Sequence, residues 1–281
     1  MTVPTWYFKG NYWQYLDSIP FKLKSAFDFS FMKEYGTVFK IYDDQDSGNI
    51  CFGTEKDGQR YFIKFAGAPT ERYRGDPAEA IARLKNALPV YRELKHENLI
   101  DLIEAKEIGG GFAMVFQWAD GDCMGRMYPA AHRRFMQLPI NVRLTVFNDI
   151  LNFFEYVVSQ NYVAIDFYDG SIMYDFKNGR TTICDIDFFR KQPCINDMGR
   201  MWGSSLFQAP EEYQLEATID EITNVYTVGA TAFALFGEYN RTREKWQLND
   251  KRFEIAARAT NPDRTRRQQS IRQFIAAWRN N

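Results

Sequence analysis

Histidine and cysteine are scarce in this chain of 281 residues: there are 2 His, at 96 and 132, and 4 Cys, at 51, 123, 184 and 194. The cysteines show no C-x-x-C spacing, so neither a zinc site nor a disulfide framework is expected, and a reducing compartment is the default. Net charge is also lacking, with 35 Lys+Arg against 36 Asp+Glu giving -1 at pH 7. Without an excess basic field to displace counterions, no nucleic-acid partner is expected. The longest apolar run, 222–236, is too short and too interrupted by Thr and Asn to span a bilayer, so no membrane partner is expected either. The opening stretch, MTVPTWYFKGNYWQYLDSIPF, lacks the apolar centre of a signal peptide. Together these absences lead to the expectation of a soluble, cytoplasmic protein.

Aromatic residues are what the chain has in excess: 24 Phe, 16 Tyr and 6 Trp, or 16% of the sequence. Otherwise the composition is ordinary for a globular protein, with 45% hydrophobic and 25% charged residues, and the length suits one large domain or two small ones. The densest aromatic stretch comes first, with Trp6, Tyr7, Phe8, Tyr12, Trp13 and Tyr15. Such a stretch either packs onto its own domain or forms a partner-binding surface.

The two halves differ. In the first, turn dipeptides punctuate strand-like runs: 49–54 and 59–65 flank Asp57-Gly58, a favoured hairpin pair because glycine tolerates positive φ. Residues 102–108 and 112–118 flank Gly109-Gly110-Gly111 as a second hairpin. Between them a helix is predicted over 77–88, with Pro77 in its first turn and Ile81, Leu84 and Leu88 on one face. The second half reads as mostly helical. Residues 142–158 carry a broad apolar stripe, 222–236 has the all-round apolar character of a buried central helix, and Ser270 is placed to cap a helix bearing Ile271, Phe274, Ile275 and Trp278. One hairpin interrupts it, 171–176 with 180–184 around Asn178-Gly179. A small mostly-β lobe followed by a larger mostly-α lobe is an α+β fold. The expected divisions are an aromatic N-terminal extension over 1–30, a first lobe over 31–118 and a second over 119–281.

Two places carry polar groups in patterns that suggest chemistry. Lys64 lies in a predicted strand with Phe62 on its own face and Tyr61, Ile63 and Phe65 on the other, so it is either a solvated edge residue or a sheltered, partnered lysine. At the third hairpin, Asp166 and Asp169 come just before the first strand, and Asp185 and Asp187 just after the second. A hairpin brings its ends together, so three or four carboxylates are expected at one mouth. Carboxylates held that close repel unless a cation or a shared proton relieves them, and an oxygen-only donor set suits Mg²⁺. Taken singly, Asp169 and Asp185 are also what turn caps look like.

In this order the residues resemble the eukaryotic-type protein kinase family. Lys64 in Phe-Ile-Lys-Phe is similar to the strand-three lysine that holds ATP phosphates. Asp166 resembles the catalytic-loop aspartate, with Ala164-Ile165-Asp166 in place of His-Arg-Asp and Ser171 in place of the metal-binding Asn. Asp185, in Asp185-Ile186-Asp187, falls where the Asp-Phe-Gly aspartate belongs, and Ala209-Pro210-Glu211 begins 24 residues later, near the family's spacing. The segment 203–211 resembles a peptide-docking loop. Asn224 stands where the central helix of the family starts with Asp, Arg267 resembles the late arginine that pairs with the Ala-Pro-Glu carboxylate, and His96-Glu-Asn-Leu-Ile100 resembles the loop after the regulatory helix.

The resemblance implies a two-lobed protein kinase-like fold and a serine/threonine-type protein kinase that transfers the ATP γ-phosphoryl group to a hydroxyl of a protein substrate. Lys64 would position the phosphates, with Gly48, Glu79, Gln117 and Trp118 completing the nucleotide contacts. Asp185, with Ser171 or Asp187, would hold Mg²⁺ (or Mn²⁺), and Asp166 would orient the attacking hydroxyl and accept its proton. Several positions depart from the family. Gly48 is the only glycine in the acidic loop that would cover the phosphates, which holds Asp43, Asp44 and Asp46. The glutamate expected to pair with Lys64 falls at Ala87, leaving Glu79 two turns earlier as the named partner. Ile165 removes the arginine that would await a phosphate, 185–203 contains no Ser, Thr or Tyr, and Tyr168 stands where a basic residue is expected. Activity is therefore expected to need no phosphorylation in that stretch. Two other functions stay open. A small-molecule phosphotransferase is suggested by the Asp-x-Asp form of Asp185-Ile186-Asp187, and a non-catalytic kinase-like binding module by the departures.

Overall fold

The computed structural model describes Tyr7–Phe8 and residues 11–281, with side chains from residue 12 onward. Trp6 and the side chains of Tyr7 and Phe8 lie outside the described residues. The chain is mixed α+β, with small antiparallel sheets and six α-helices among the described residues. It forms two compact units: one holds the chain up to Glu93 together with Ile100–Ala119, the other Leu94–Leu99 and Asp120–Asn281.

The first unit opens with a three-stranded meander, β1 (Tyr7–Phe8), β2 (Asn11–Leu16) and β3 (Ile19–Leu23). Its five-stranded antiparallel sheet contains β4 (Thr37–Tyr42), β5 (Asn49–Lys56) and β6 (Gln59–Ala66), then β7 (Leu102–Ile108) and β8 (Gly111–Gln117), in the order β4-β5-β6-β8-β7. Helix α1 (Pro77–Glu93) lies in sequence between β6 and β7. Strand alternation divides the sheet's side chains cleanly. Ile50, Phe52, Ile63, Phe65, Ala113 and Val115 form one buried face, and that face is covered by Phe21, Leu23, Phe29 and Met32. No break in the core falls at residue 31: Phe29 meets the rings of Phe21, Phe52 and Phe65 at centroid distances of 5.5, 5.4 and 6.0 Å. Polar side chains fix how the aromatic segment enters this core. The Gln14 amide both donates to the Phe27 carbonyl at 2.9 Å and accepts from its N–H at 3.0 Å, and Asp17 accepts from the Val38 N–H at 2.7 Å.

The other face of the sheet carries Phe62, Lys64, Met114 and Phe116, and α1 packs on it through Ala80, Leu84, Ala87 and Tyr91. Asp76 caps the helix, accepting from the Ala78 N–H at 2.8 Å. The helix runs to Glu93 rather than ending at Leu88, passing through Pro89. Proline costs one helical hydrogen bond, but burying Val90 and Tyr91, the latter with its ring 4.9 Å from Phe116, offsets that loss.

In the second unit, α2 (Pro129–Met136), α3 (Ile140–Ser159), α4 (Glu221–Phe236), α5 (Asp250–Ala259) and α6 (Ile271–Arg279) surround short strands. Helix α4 is buried along nearly all its length, and Phe147, Phe236, Phe274 and Trp278 interlock around it and α3. Arg143, 4% exposed on α3, donates to the Leu235 carbonyl at 2.7 Å and so joins α3 to the end of α4. A three-stranded sheet, β9 (Asp122–Cys123), β11 (Ile172–Asp175) and β12 (Arg180–Ile183), is ordered β12-β11-β9. Two-stranded pairs join β10 (Tyr162–Val163) to β13 (Arg190–Lys191), and β14 (Cys194–Ile195) to β15 (Thr218–Ile219).

Candidate functional site

The hairpin β11–β12 is tied at its open end by the Cys184 N–H, which donates to the Ser171 carbonyl at 2.9 Å. Just outside that tie the chain turns twice through left-handed backbone, at Asp166 (φ 63°) and Asp185 (φ 58°). Non-glycine residues seldom hold this conformation, and here both instances fall on carboxylates at the two ends of one hairpin. Asp166 follows a fixed segment: Asn224 on α4, fully buried, accepts from the Ala164 N–H at 2.8 Å and donates to the Tyr162 carbonyl at 3.3 Å. A neutral amide makes both bonds without burying a charge, which accounts for Asn at this position.

Tyr168 lies among these carboxylates. Burial first, and then the charges of Asp185 and Asp166, push its phenol well above the ordinary range, so the O–H keeps its proton. Cys123 on β9 is pushed up to about 11 by burial, with Asp169 and Asp185 adding to the shift. Gly170 is required by the tyrosine: a Cβ there would sit 2.3 Å from the Tyr168 ring.

Asp169 is committed elsewhere. It is 7% exposed, and one carboxylate oxygen accepts from the Tyr239 hydroxyl at 2.6 Å and from the Arg126 N–H at 3.1 Å. Ser171 is fully buried, and its hydroxyl has no hydrogen-bond partner among the described residues. Among the described residues no three His, Cys, Asp or Glu side chains come close enough to hold a metal ion. The expected gathering of three or four carboxylates is thus electrostatic proximity, not a chelating cluster. Asp185, Asp187 and the buried Ser171 hydroxyl are the oxygen donors that would be offered to Mg²⁺, which commonly takes one or two carboxylates from a protein and the rest from waters and phosphate oxygens.

The first unit places its expected residues as follows. Lys64 pairs with Cys51 and Met114 in the sheet register and shares a face with Phe62, whose ring is 5.9 Å from Tyr42 and 6.3 Å from Phe116. The exposed Glu79 carboxylate accepts from the Tyr73 hydroxyl at 3.1 Å. Ala87 sits fully buried on the stripe of α1 that faces the sheet, so that stripe offers no acid. Gln117 ends β8 and Trp118 follows it, with the Gln117 N–H donating to the Asp101 carbonyl at 2.9 Å and the Trp118 N–H to the Arg60 carbonyl at 3.1 Å. The Trp118 ring meets Phe39 edge-on at 4.9 Å.

The acidic loop between β4 and β5 is held within its own unit. Asp43 accepts from the Lys22 N–H at 2.8 Å, Asp44 pairs with Arg72, and the Arg83 guanidinium donates to the Ser47 carbonyl at 2.8 Å. Gly48 is buried at φ +84°, and a Cβ there would lie 2.7 Å from that of Ala80 and 2.9 Å from the Tyr73 ring. Its lack of a side chain serves the packing of this loop on α1.

The segment after Asp185 is anchored at two points. Ile165 is buried with Val163, Met201 and Ile219, and Phe188 and Cys194 pack against the cluster. Glu211 and Arg267 form a two-pronged buried ion pair at 2.7 and 2.9 Å. Sequence reading missed Cys123, Arg126 and Tyr239, whose partners lie 43 to 70 residues away and leave no local pattern. The sequence matches no model of a known protein family, and no curated protein matches it.

Proposed function

We propose that this chain is a serine/threonine-type protein kinase acting on Mg-ATP and a protein hydroxyl, within a two-lobed kinase-like fold. The observation that carries this proposal is the pair of left-handed aspartates, Asp166 and Asp185, set at the two ends of a hairpin closed by Ser171 and Cys184. Supporting it are Lys64 on the third strand of a five-stranded sheet followed by a helix, the Asn224 clamp behind Asp166, and the Glu211–Arg267 pair. Asp166 would accept the proton of the substrate hydroxyl as its oxygen bonds to the γ-phosphorus and the bond to the β-phosphate oxygen breaks, releasing ADP. Lys64 would hold phosphate oxygens, and Asp185 with Ser171 would hold the cation, which neutralises charge on the phosphates. Phosphoryl transfer depends on such positioning and charge compensation more than on covalent chemistry.

A second function, that of a non-catalytic kinase-like binding module, draws on one specific observation: Gly48 and the acidic loop are engaged with α1 and with Lys22 and Arg72. One experiment separates the two. Transfer from labelled ATP with Mg²⁺ into the protein itself and into basic and acidic protein substrates is measured for the wild type, Asp166→Ala and Asp185→Ala. Label on serine or threonine that both substitutions abolish is the expected result. Absence of both transfer and Mg-dependent ATP binding would leave the binding module.

A further inference from the structure

Beside the catalytic-loop residues, the second unit carries an aromatic floor. Phe207, 2% exposed, lies with its ring 6.4 Å from Tyr168 and 6.2 Å from Tyr239, and the half-buried Leu206 packs on the same cluster. Two arginines border it. Arg126 sets its guanidinium 4.6 Å from the centre of the Tyr239 ring, while its own N–H is fixed to Asp169 at 3.1 Å. Arg241 donates to the Leu206 carbonyl at 2.9 Å and to the Tyr226 hydroxyl at 2.6 Å, with its guanidinium 5.0 Å from that ring. Both side chains are exposed, and neither has a carboxylate within ion-pair distance among the described residues. Their basic neighbours differ: Arg134 pairs with Asp122 at 3.7 Å, Arg243 with Asp250, and Lys245 with Glu238 at 3.5 Å.

An arginine held over a ring keeps its remaining N–H groups available, and it has already lost much of the rotamer freedom that binding would cost. Two such cations, without an ion-pair partner among the described residues, favour a negatively charged occupant on the floor between Tyr168 and Leu206. The geometry points to an acidic peptide: a segment whose hydroxyl residue reaches Asp166 while Asp or Glu side chains, or a phosphorylated residue, meet Arg126 and Arg241, and an apolar side chain covers Leu206, which Phe207 supports from below. This names the substrate class for the kinase activity proposed above and rests on that proposal.

Binding is measured by fluorescence anisotropy on the whole chain, with a short labelled serine peptide made with Glu flanks, with isosteric Gln flanks and with Lys flanks. The Glu form is expected to bind about tenfold tighter than the Gln form, since each exposed pair contributes about two- to fivefold, and the Lys form weakest. Arg126→Gln and Arg241→Gln should each remove about threefold of that preference, and the double variant nearly all of it. Arg241→Lys, which keeps the charge but loses the forked contact, should retain most. Circular dichroism confirms that the variants fold. Equal binding of the Glu and Gln peptides, an undiminished preference in the folded double variant, or tighter binding of a single-stranded oligonucleotide of equal charge overturns the assignment. The readout needs no phosphoryl transfer. A Glu preference without transfer therefore supports this surface while counting against the kinase, and transfer without a Glu preference counts against this surface alone.

Discussion

Arg267→Met is the perturbation whose cost follows most directly from the structure. The guanidinium is fully buried and makes two bonds to Glu211, at 2.7 and 2.9 Å, and one to the Asn261 carbonyl at 2.7 Å. Burial on its own would raise the Glu211 carboxyl, but the hydrogen bonds and charge of Arg267 outweigh it and hold the group below its ordinary range. Methionine fills much of the volume yet leaves a buried carboxylate with no counter-charge, held by the Thr223 hydroxyl at 3.0 Å and a backbone N–H, and takes the arginine donors from the Asn261, Ile222 and Pro262 carbonyls. Removing one partner of a buried pair costs about 3–5 kcal/mol. For a unit of this size that lowers the melting temperature by roughly 6–20 °C. Arg267→Lys keeps a point charge but loses the fork, and is expected to cost about 1–3 kcal/mol. The assay is urea unfolding followed by far-UV circular dichroism, on Arg267→Met, Glu211→Gln and the double variant. The double variant should cost about 2 kcal/mol less than the sum of the singles, because the second change removes a group already stranded by the first. Additive effects, or an Arg267→Met cost below about 1 kcal/mol, would refute this reasoning.

Two further outcomes follow from the same geometry. Glu212 is 3% exposed, and burial pushes its carboxyl up to about 8 from an ordinary 4.5, even though the Ala209 N–H donates to it at 2.6 Å. The folded chain therefore keeps a proton that the unfolded chain releases across that window, and stability falls as pH rises from about 4.5 to 8, by on the order of a few kcal/mol. Glu212→Gln, whose carbonyl can still accept from Ala209, should flatten the dependence and exceed the wild type in stability at pH 8. Parallel melting curves across this range would count against the burial argument. Gly48→Ala must place a Cβ 2.7 Å from Ala80 at φ +84°, so denaturant unfolding should show a loss of about 1–3 kcal/mol, partly relieved by adding Ala80→Gly. A cost of only a few tenths would mean that the loop is not held on α1.

What the sequence disclosed was whatever local chemistry decides. Asp57-Gly58 and Gly109-Gly110 adopt the paired positive φ values, 53° and 75°, then 58° and 74°, that their residue types allow, and they set the registers Lys56↔Gln59 and Ile108↔Gly111. The third hairpin was legible in place but not in form. Asp175 pairs with Arg180 across a four-residue loop, because its carboxylate accepts from the Lys177 and Asn178 N–H groups at 2.8 and 3.2 Å and builds a wider turn than Asn178-Gly179 alone suggests. The helix runs past Leu88 because of the burial of Val90 and Tyr91, which no local pattern discloses, and only the fold brings Tyr73 to Glu79. At the candidate site, the placement of Asp166 and Asp185 at the two ends of one hairpin was legible from spacing. The diversion of Asp169 to Tyr239 was not, because the two are 70 residues apart.

The cluster around Ile165 gives a packing counterpart to two departures that the sequence already joins. On the proposed function, an arginine at 165 would serve only if a phosphate arrived to meet it, and 185–203 has no hydroxyl to carry one. The structure fills that place with apolar contacts instead, Ile165 against Val163, Met201 and Ile219, and adds the pairing of Val163 with Arg190. Burying an isoleucine is worth about 1.5–3 kcal/mol whether or not a modification occurs, which corresponds to a roughly 10- to 100-fold bias toward the packed segment. A charge pair would make order conditional on phosphorylation; a hydrophobic contact makes it a property of the fold. On the proposed function, Ile165 and the absence of hydroxyls from 185–203 therefore belong together, and activity would need no phosphorylation of that segment.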